Sequence, residues 1–353
     1  MNLLILYYDA FYVKEKLEEK FPELTIHAST EEDQVGDFIE SADILMAIRI
    51  SNDLMKRAKK LQWIQCLITG VDYLLSLPSF PKDILLTSTR GIHGPQMSEM
   101  AFLHMLNLTR NYPRMLRNQD LGTWERCAQP LLYKKAVGIL GVGAIGTEIA
   151  RKAKAFDMTV YGIVSAKREI EHVDHCYGPE GLMEVLSKVD YFINNVPATP
   201  ETINLIGAKE LSAMKPRAYF INIGRGETVD EEALAGALEN KIIAGAALDV
   251  FHTEPLPENH PLWHLDNVII TPHVGGMSDI YADQVLYLLN IEMAMTTPPF
   301  GMSLFVMKSV APRDVTMSDI YKAVIPFLVL DLLVMALIIA WPQIALWLPG
   351  LMR

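Results

Sequence analysis

Positive charge is in short supply in this chain: 31 lysines and arginines face 42 aspartates and glutamates over 353 residues, a formal charge of −11. Binding nucleic acid requires a basic face that neutralises phosphates, so no nucleic-acid partner is expected. Cysteine is scarce as well. Cys66, Cys127 and Cys176 are odd in number, far apart and in no metal-ligand spacing, which argues against a disulfide framework and for a reducing compartment. The start, MNLLILYYD, lacks a basic stretch before its apolar run and lacks a small-residue cleavage site. It reads as a first β-strand and not as a signal peptide. Internal repeats and low-complexity segments are also missing.

What is present is alternation. The length gives room for about two domains, each able to bury its own core. In the first hundred residues the strand-like runs Leu3–Tyr7, Ile44–Ile48, Trp63–Ile68 and Ile84–Thr87 alternate with helical candidates such as Val13–Lys20 and Asp53–Lys60. That pattern predicts a parallel sheet covered by helices. A long helix is predicted from Gln96 to Arg117, with Pro95 near its start. A second alternating unit follows, with strands at Ala136–Leu140, Thr159–Ile163, Tyr191–Asn194, Tyr219–Ile223, Gly245–Leu248 and Val268–Ile270. Strands in that order, separated by helices, suit a doubly wound dinucleotide domain.

The run GILGVGAIG follows one of these strands and opens a helix. Gly141, Gly143 and Gly146 fit the pattern G-x-G-x-x-G, with Ala144 and Ile145 between the last two. The first glycine permits the tight turn, the second lets the backbone approach a pyrophosphate, and the third lets helix pack on strand. An acidic residue about 20 positions later normally binds the ribose hydroxyls. Here Val164 stands in its place, followed by Ser165, Lys167 and Arg168. Cations without the carboxylate favour a 2′-phosphate, hence NADP over NAD, unless Lys167 and Arg168 are only a solvated loop. Further on, Arg225 stands in INIGRG, Glu254 in LDVFHTEP and His273 in TPHVGG. A cation, a carboxylate and an imidazole are what reduction of a 2-oxo acid requires. Taken singly, each has a plain alternative: a surface guanidinium, a pre-proline turn residue, a loop histidine. His93, His104, His172, His175, His252, His260 and His264 have no comparable setting and read as structural or solvated. Glu99 reads as a cap or interface group, and Trp124 and Trp263 as packing.

With these phrases in place, the chain from about Trp63 to His273 resembles the D-isomer-specific 2-hydroxyacid dehydrogenases. The matching stretches are LQWIQCLITGVDYLL, GIHGPQMSEMAF, GILGVGAIG, NNVPATPETINLI, MKPRAYFINIGRGETVDEEAL, AGAALDVFHTEPLP and NVIITPHVGG. The resemblance implies two Rossmann-like domains, 1–98 being a flavodoxin-like substrate domain and 99–284 an NAD(P)-binding domain, with the substrate in the cleft. It implies that Arg225 binds the 2-oxo acid and that His273 is the general acid in reduction and the base in oxidation. Glu254 would pair with His273, since an adjacent carboxylate favours the imidazolium. Asp249 would bind the nicotinamide carboxamide, and the backbone at Thr69, Gly70 and Val71 the substrate carboxylate. Asn195, Val196, Pro197, Ile223 and Gly224 would line the cofactor, NADP or NAD. A homodimer with a cytoplasmic dehydrogenase part is implied too. A nicotinamide-sensing regulatory protein on the same scaffold is the alternative function.

The end of the chain differs. From Ile291 onward four acids balance four bases, so the acidic excess lies upstream. Ala323–Trp341 is a run of 19 residues with a single charge, Asp331. Roughly 20 apolar residues at ~1.5 Å each match a ~30 Å hydrocarbon core. The alternative is a buried core helix, and in a membrane Asp331 would be costly unless paired. Val285–Met307 is broken by Pro298, Pro299 and Gly301, as in a re-entrant segment. From about Leu286 to Arg353, TTPPFG and PQIALWLP resemble the C-terminus of the large permease subunit of TRAP dicarboxylate transporters. The expectation is a hydrophobic helical tail, 285–353, that associates with a membrane and replaces the dehydrogenase family's usual returning helix.

Overall fold

Runs of branched apolar residues bounded by glycine, proline and charge produce two parallel sheets. The computed structural model describes residues 1–286 other than Lys167. The predicted tail from 287 onward, with its re-entrant segment and span, lies outside the described residues. Among the described residues no helix is long and apolar enough to cross a membrane. Met1–Tyr281 forms one compact unit.

The first sheet comprises β1 (Asn2–Leu6), β2 (Thr25–Ser29), β3 (Ile44–Ala47), β4 (Trp63–Cys66) and β5 (Leu85–Ser88), with helices α1 (Ala10–Lys20), α2 (Asn52–Arg57) and α3 (Asp72–Leu75) in the connections. Its five strands lie in the order β2-β1-β3-β4-β5. Then come α4 (Gly94–Thr109) and α5 (Tyr112–Asp120). The second sheet holds β6 (Ala136–Leu140), β7 (Thr159–Ile163), β8 (His175–Tyr177), β9 (Tyr191–Asn194), β10 (Tyr219–Asn222), β11 (Gly245–Leu248) and β12 (Val268–Ile270). Between its strands run α6 (Ala144–Ala155), α7 (Leu182–Lys188), α8 (Ala208–Ala213) and α9 (Glu231–Glu239). Its seven strands lie in the order β12-β11-β10-β9-β6-β7-β8. Every pairing is parallel.

A parallel sheet is covered on both faces, so its central strands are buried and mostly apolar. All four residues of β3, β9 and β11 are buried. In β9 alternate residues feed opposite sides: Phe192 packs with Phe220 and Leu248, while Tyr191 and Ile193 pack with Ala101 and Met105 of α4. A third cluster, including Leu4, Leu45 and Ile64, fills the first sheet.

Five of the six strands expected in the second unit coincide with observed ones, and β10 ends one residue early. The strands missed are β2 and β8, each at a sheet edge. Edge strands are short and half-exposed, so they lack the unbroken apolar run that marks a central strand. The predicted helix Gln96–Arg117 is two helices. Asn111 between them is left-handed (φ +50°), and Pro113 lies in the first turn of α5. A proline there has no N–H and would clash with the preceding turn, so one continuous helix is excluded.

Candidate active site

In open α/β sheets ligands sit beyond the carboxyl ends of the strands, where the strand order reverses. Here the order reverses between β1 and β3 and between β6 and β9. The residues singled out in the sequence follow strand carboxyl ends: Thr69–Val71 after β4, Gly141 after β6, Ser165 after β7 and Asn195–Pro197 after β9. Ile223–Arg225 follow β10, Asp249 follows β11 and His273 follows β12. Topology thus gathers phrases that lie far apart in the chain.

The glycine turn has the shape a dinucleotide needs. Gly141 is left-handed (φ +93°), and a Cβ there would lie 2.8 Å from the Asn195 carbonyl oxygen. A Cβ on Gly146 would lie 2.5 Å from the Gly141 carbonyl oxygen, so this glycine lets α6 close on β6. At Gly143, the N-cap of α6, a Cβ would meet nothing within 4 Å. Gly143 and Ala144 are exposed and Ile145 half-buried, leaving open space at the positive end of a helix, where a pyrophosphate fits. The Asn195 side-chain amide donates to the Gly141 carbonyl (3.2 Å), tying the β9 loop to the turn. Val196 is half-buried and Pro197 exposed, while Ile223 and Gly224 are buried. A Cβ on Gly224 would lie 2.6 Å from the Val196 carbonyl oxygen. Ser165 and Arg168 are exposed.

Arg225 is held from behind. Its carbonyl accepts from the Asn222 amide (3.0 Å) and the Thr228 hydroxyl (2.6 Å). Asn194 in turn donates to Asn222 Oδ1 (3.1 Å) and to Thr228 Oγ1 (2.6 Å). All three supporting side chains are buried; Asn194 Oδ1 lacks a partner, and the bonds that are made hold the Arg225 backbone in place. The half-buried guanidinium donates from Nη1 to the Gly224 carbonyl (2.8 Å).

Glu254 and His273 are brought together: Oε2 lies 2.7 Å from Nδ1. The other carboxylate oxygen accepts from the Phe251 N–H (3.1 Å), which orients it. Burial pushes this carboxyl up. The hydrogen bonds from His273 and Phe251 and the charges of His273 and Arg49 outweigh that and hold it below the ordinary range. His273 itself is left-handed (φ +53°). Asp249, 1% exposed, pins the loop that carries it, accepting from the Thr271 hydroxyl (2.5 Å) and from the N–H groups of Val274 (3.1 Å) and Gly275 (2.9 Å).

On the opposite sheet, Thr69, Gly70 and Val71 are half-buried. Three residues without a role in the sequence reading join them. Arg49, just past β3, acts on Glu254 and lies 5.7 Å from the Tyr73 ring centre. His93 contacts Thr69, and Tyr281 contacts His93. The available signs were the place of Arg49 directly after a strand and that of His93 within GIHGPQMSEMAF; Tyr281 carried none.

The chain matches the model of the D-isomer specific 2-hydroxyacid dehydrogenase NAD binding domain over residues 102–275. It is 33% identical over 264 residues to the glyoxylate reductase of Thermofilum pendens, covering 70% of this chain and 78% of that one. The chain belongs to the D-isomer specific 2-hydroxyacid dehydrogenase family. It is thus an oxidoreductase working with NAD or NADP on 2-hydroxy and 2-oxo acids. The dehydrogenase is also 31% identical over 299 residues to D-3-phosphoglycerate dehydrogenase of Methanocaldococcus jannaschii, 79% of this chain but only 56% of that longer protein. Among solved structures it is similar to a family member from Aeromonas salmonicida (TM-score 0.77, 34% identity, 84% of this chain and 96% of that one). It is similar too to the NADPH-dependent glyoxylate/hydroxypyruvate reductase of Sinorhizobium meliloti, solved with NADP and sulfate (TM-score 0.73, 27% identity, 84% and 96%). A second model, the DctM component of the tripartite ATP-independent periplasmic transporter, matches residues 268–344.

Proposed function

We propose that this dehydrogenase reduces a small 2-oxo acid of the glyoxylate or hydroxypyruvate kind, with NADPH preferred over NADH. The observation that carries the proposal is the Glu254–His273 pair at 2.7 Å. With Nδ1–H donating to Glu254, the imidazole keeps Nε2 for the substrate, and the ionised carboxylate balances the charge of the imidazolium. When bound, the dihydronicotinamide supplies the hydride. His273 gives its proton to the carbonyl oxygen, and in the reverse direction takes it back. Arg225 pairs with the substrate carboxylate and steadies the charge growing on that oxygen, as a planar guanidinium suits two oxygens.

In this reading residues 1–98 are the substrate domain and 99–284 the cofactor domain, with Thr69, Gly70 and Val71 presenting backbone to the substrate. Gly141, Gly143, Ala144, Ile145 and Gly146 hold the pyrophosphate. Ser165, Lys167 and Arg168 take the 2′-phosphate, and Asn195, Val196, Pro197, Ile223 and Gly224 line the nicotinamide half. Asp249 keeps its assignment to the carboxamide beside its observed hold on the His273 loop, since three of the roughly four lone-pair sites of a carboxylate are in use. The reductase named above, with its NADP, supports the cofactor preference.

Steady-state rates with glyoxylate and hydroxypyruvate, using NADPH and NADH, test the proposal. We expect turnover, and His273→Ala to lower kcat by roughly 10²–10⁴ while the Kd for NADPH stays as in the wild type. Tight NADPH binding with no turnover on any 2-oxo acid would overturn it and favour a nicotinamide-sensing protein.

The proposal extends to a cytoplasmic homodimer. Helix α5 buries none of its residues, and Leu121 (77%) and Trp124 (92%) beyond it are exposed, an apolar surface suited to a second copy. The tail is proposed to associate with a membrane. The apolar run Ala323–Trp341 and the permease match support that.

A further inference from the structure

Behind the expected carboxylate site a histidine is buried without being part of the packing core. His93 stands at the N-cap position of α4, makes no capping hydrogen bond there, and is 6% exposed. Its Nδ1 lies 2.8 Å from Thr69 Oγ1, and its Nε2 lies 2.9 Å from the Tyr281 hydroxyl. Those hydroxyls reach onward, Thr69 to the Thr89 carbonyl (3.0 Å) and Tyr281 to the Leu67 carbonyl (2.5 Å). On its other side the ring abuts the loop that carries His273: a Cβ on Gly276 would lie 3.5 Å from His93 Cδ2. One imidazole therefore touches the segment assigned to the substrate carboxylate, the segment carrying the proposed proton donor, and the tyrosine that follows it.

We propose that His93 is a positioning residue of the substrate site: through Nδ1 it holds Thr69, and with it the Thr69–Val71 segment, in the register that receives the substrate carboxylate. This rests on the reading of the site as one for 2-oxo acids. The four contacts run in a line, from the Leu67 carbonyl through Tyr281, His93 and Thr69 to the Thr89 carbonyl. A neutral imidazole donates from one nitrogen and accepts at the other, so ring and two hydroxyls share three protons among the four contacts, and the hydroxyl that faces the accepting nitrogen turns its proton to the ring and away from its carbonyl. Burial, and next the charge of Arg225, push this histidine down to about 4, so the ring is neutral near pH 7. A neutral brace beside Arg225 leaves the guanidinium as the group that attracts the anion. Tyr281, with Tyr7, Tyr8 and Cys66 around it, is the remaining titratable neighbourhood, and burial raises the Tyr281 hydroxyl.

The two contacts can be separated by substitution. The Asn side chain at position 93 places its amide nitrogen where Nδ1 stands, keeping the Thr69 contact. Gln places it where Nε2 stands, keeping the Tyr281 contact. Measurements are kcat and KM with glyoxylate, and the Kd of oxalate, a non-reducible mimic, for the full chain loaded with NADPH. We expect His93→Gln and Thr69→Val each to raise KM and the oxalate Kd about tenfold, the size of one neutral hydrogen bond, with kcat little changed. His93→Asn should recover most of that loss. In the double variant His93→Gln/Thr69→Val the two effects should not add, because one contact is lost once. Should His93→Gln fail to fold, Thr69→Val reads the same contact from a half-buried position. The inference is overturned if these variants bind oxalate as the wild type does, if Asn is no better than Gln, or if KM, kcat and NADPH binding all change in parallel, as a purely structural role would produce. The two ideas fail differently. Wild-type protein that holds NADPH yet neither turns over nor binds oxalate removes both. Oxalate binding that Arg225→Ala abolishes and His93 variants leave intact removes only the role of His93.

Discussion

Gly143 and Gly146 share one turn, yet physical chemistry assigns them opposite duties. At Gly146 a methyl group would meet the Gly141 carbonyl at 2.5 Å, so Gly146→Ala must push helix from strand and cost roughly 1–3 kcal/mol. At Gly143 a methyl group would enter open space, and its φ of −91° suits alanine. Gly143→Ala is therefore expected to leave Tm unchanged while weakening NADPH about tenfold, roughly 1.4 kcal/mol, by crowding the pyrophosphate. Thermal melts beside NADPH titrations decide it; wild-type affinity in Gly143→Ala would show that no phosphate lies there. The sequence made these glycines legible because spacing alone encodes the turn. Arg225, Glu254 and His273 were legible from their phrases. Arg49, His93 and Tyr281 were not: His93 meets Thr69 across 24 positions and Tyr281 across 188, and no local pattern records such a contact.

At the level of elements, central strands were read almost to the residue, because burial on both faces forces continuous apolar runs. The edge strands β2 and β8 escaped, although β5 and β12 at the opposite edges were read, and α4 and α5 were merged because helical periodicity continues across Asn111 while the backbone does not. Two elements carry a prediction. The apolar face around α5 and Trp124 should join two copies, and the tail should seek a membrane. Fractionation and light scattering on the full chain and on a chain ending at Gln284 test both. We expect the full chain with the membranes and the shorter one as a soluble dimer. If the full chain stays in the supernatant the anchor is refuted, and a monomeric mass for the shorter chain refutes the dimer.

For the whole molecule, stability is tied to pH through two histidines with no counter-charge close enough to keep them protonated. Burial and Arg225 push His93 down to about 4, and burial pushes His104 down to about 4 against the opposing pull of Asp249. An unfolded histidine titrates near 6.5, so between these values the unfolded chain binds protons that the folded one refuses. Their contribution is fully present above about pH 6.5 and is lost as pH falls through about 4, of the order of 3 kcal/mol for each. Denaturant unfolding at pH 7 and pH 4.5 should show the loss, and His104→Gln should lessen it. A stability independent of pH over that range would mean that neither ring is buried as described.

By itself the sequence determined the class of chemistry: short-range signals such as glycine spacing, apolar runs and the three phrases around Arg225, Glu254 and His273 survive without a fold. Only tertiary structure decided what surrounds that chemistry. Strand order brought the carboxyl ends of β4, β6, β9, β10, β11 and β12 to the site. It turned Asp249 inward onto the His273 loop and set a buried, neutral His93 behind Thr69. Hydrogen bonds and desolvation act over a few ångströms of space, whatever the distance along the chain, so these relations exist only once the two sheets have formed.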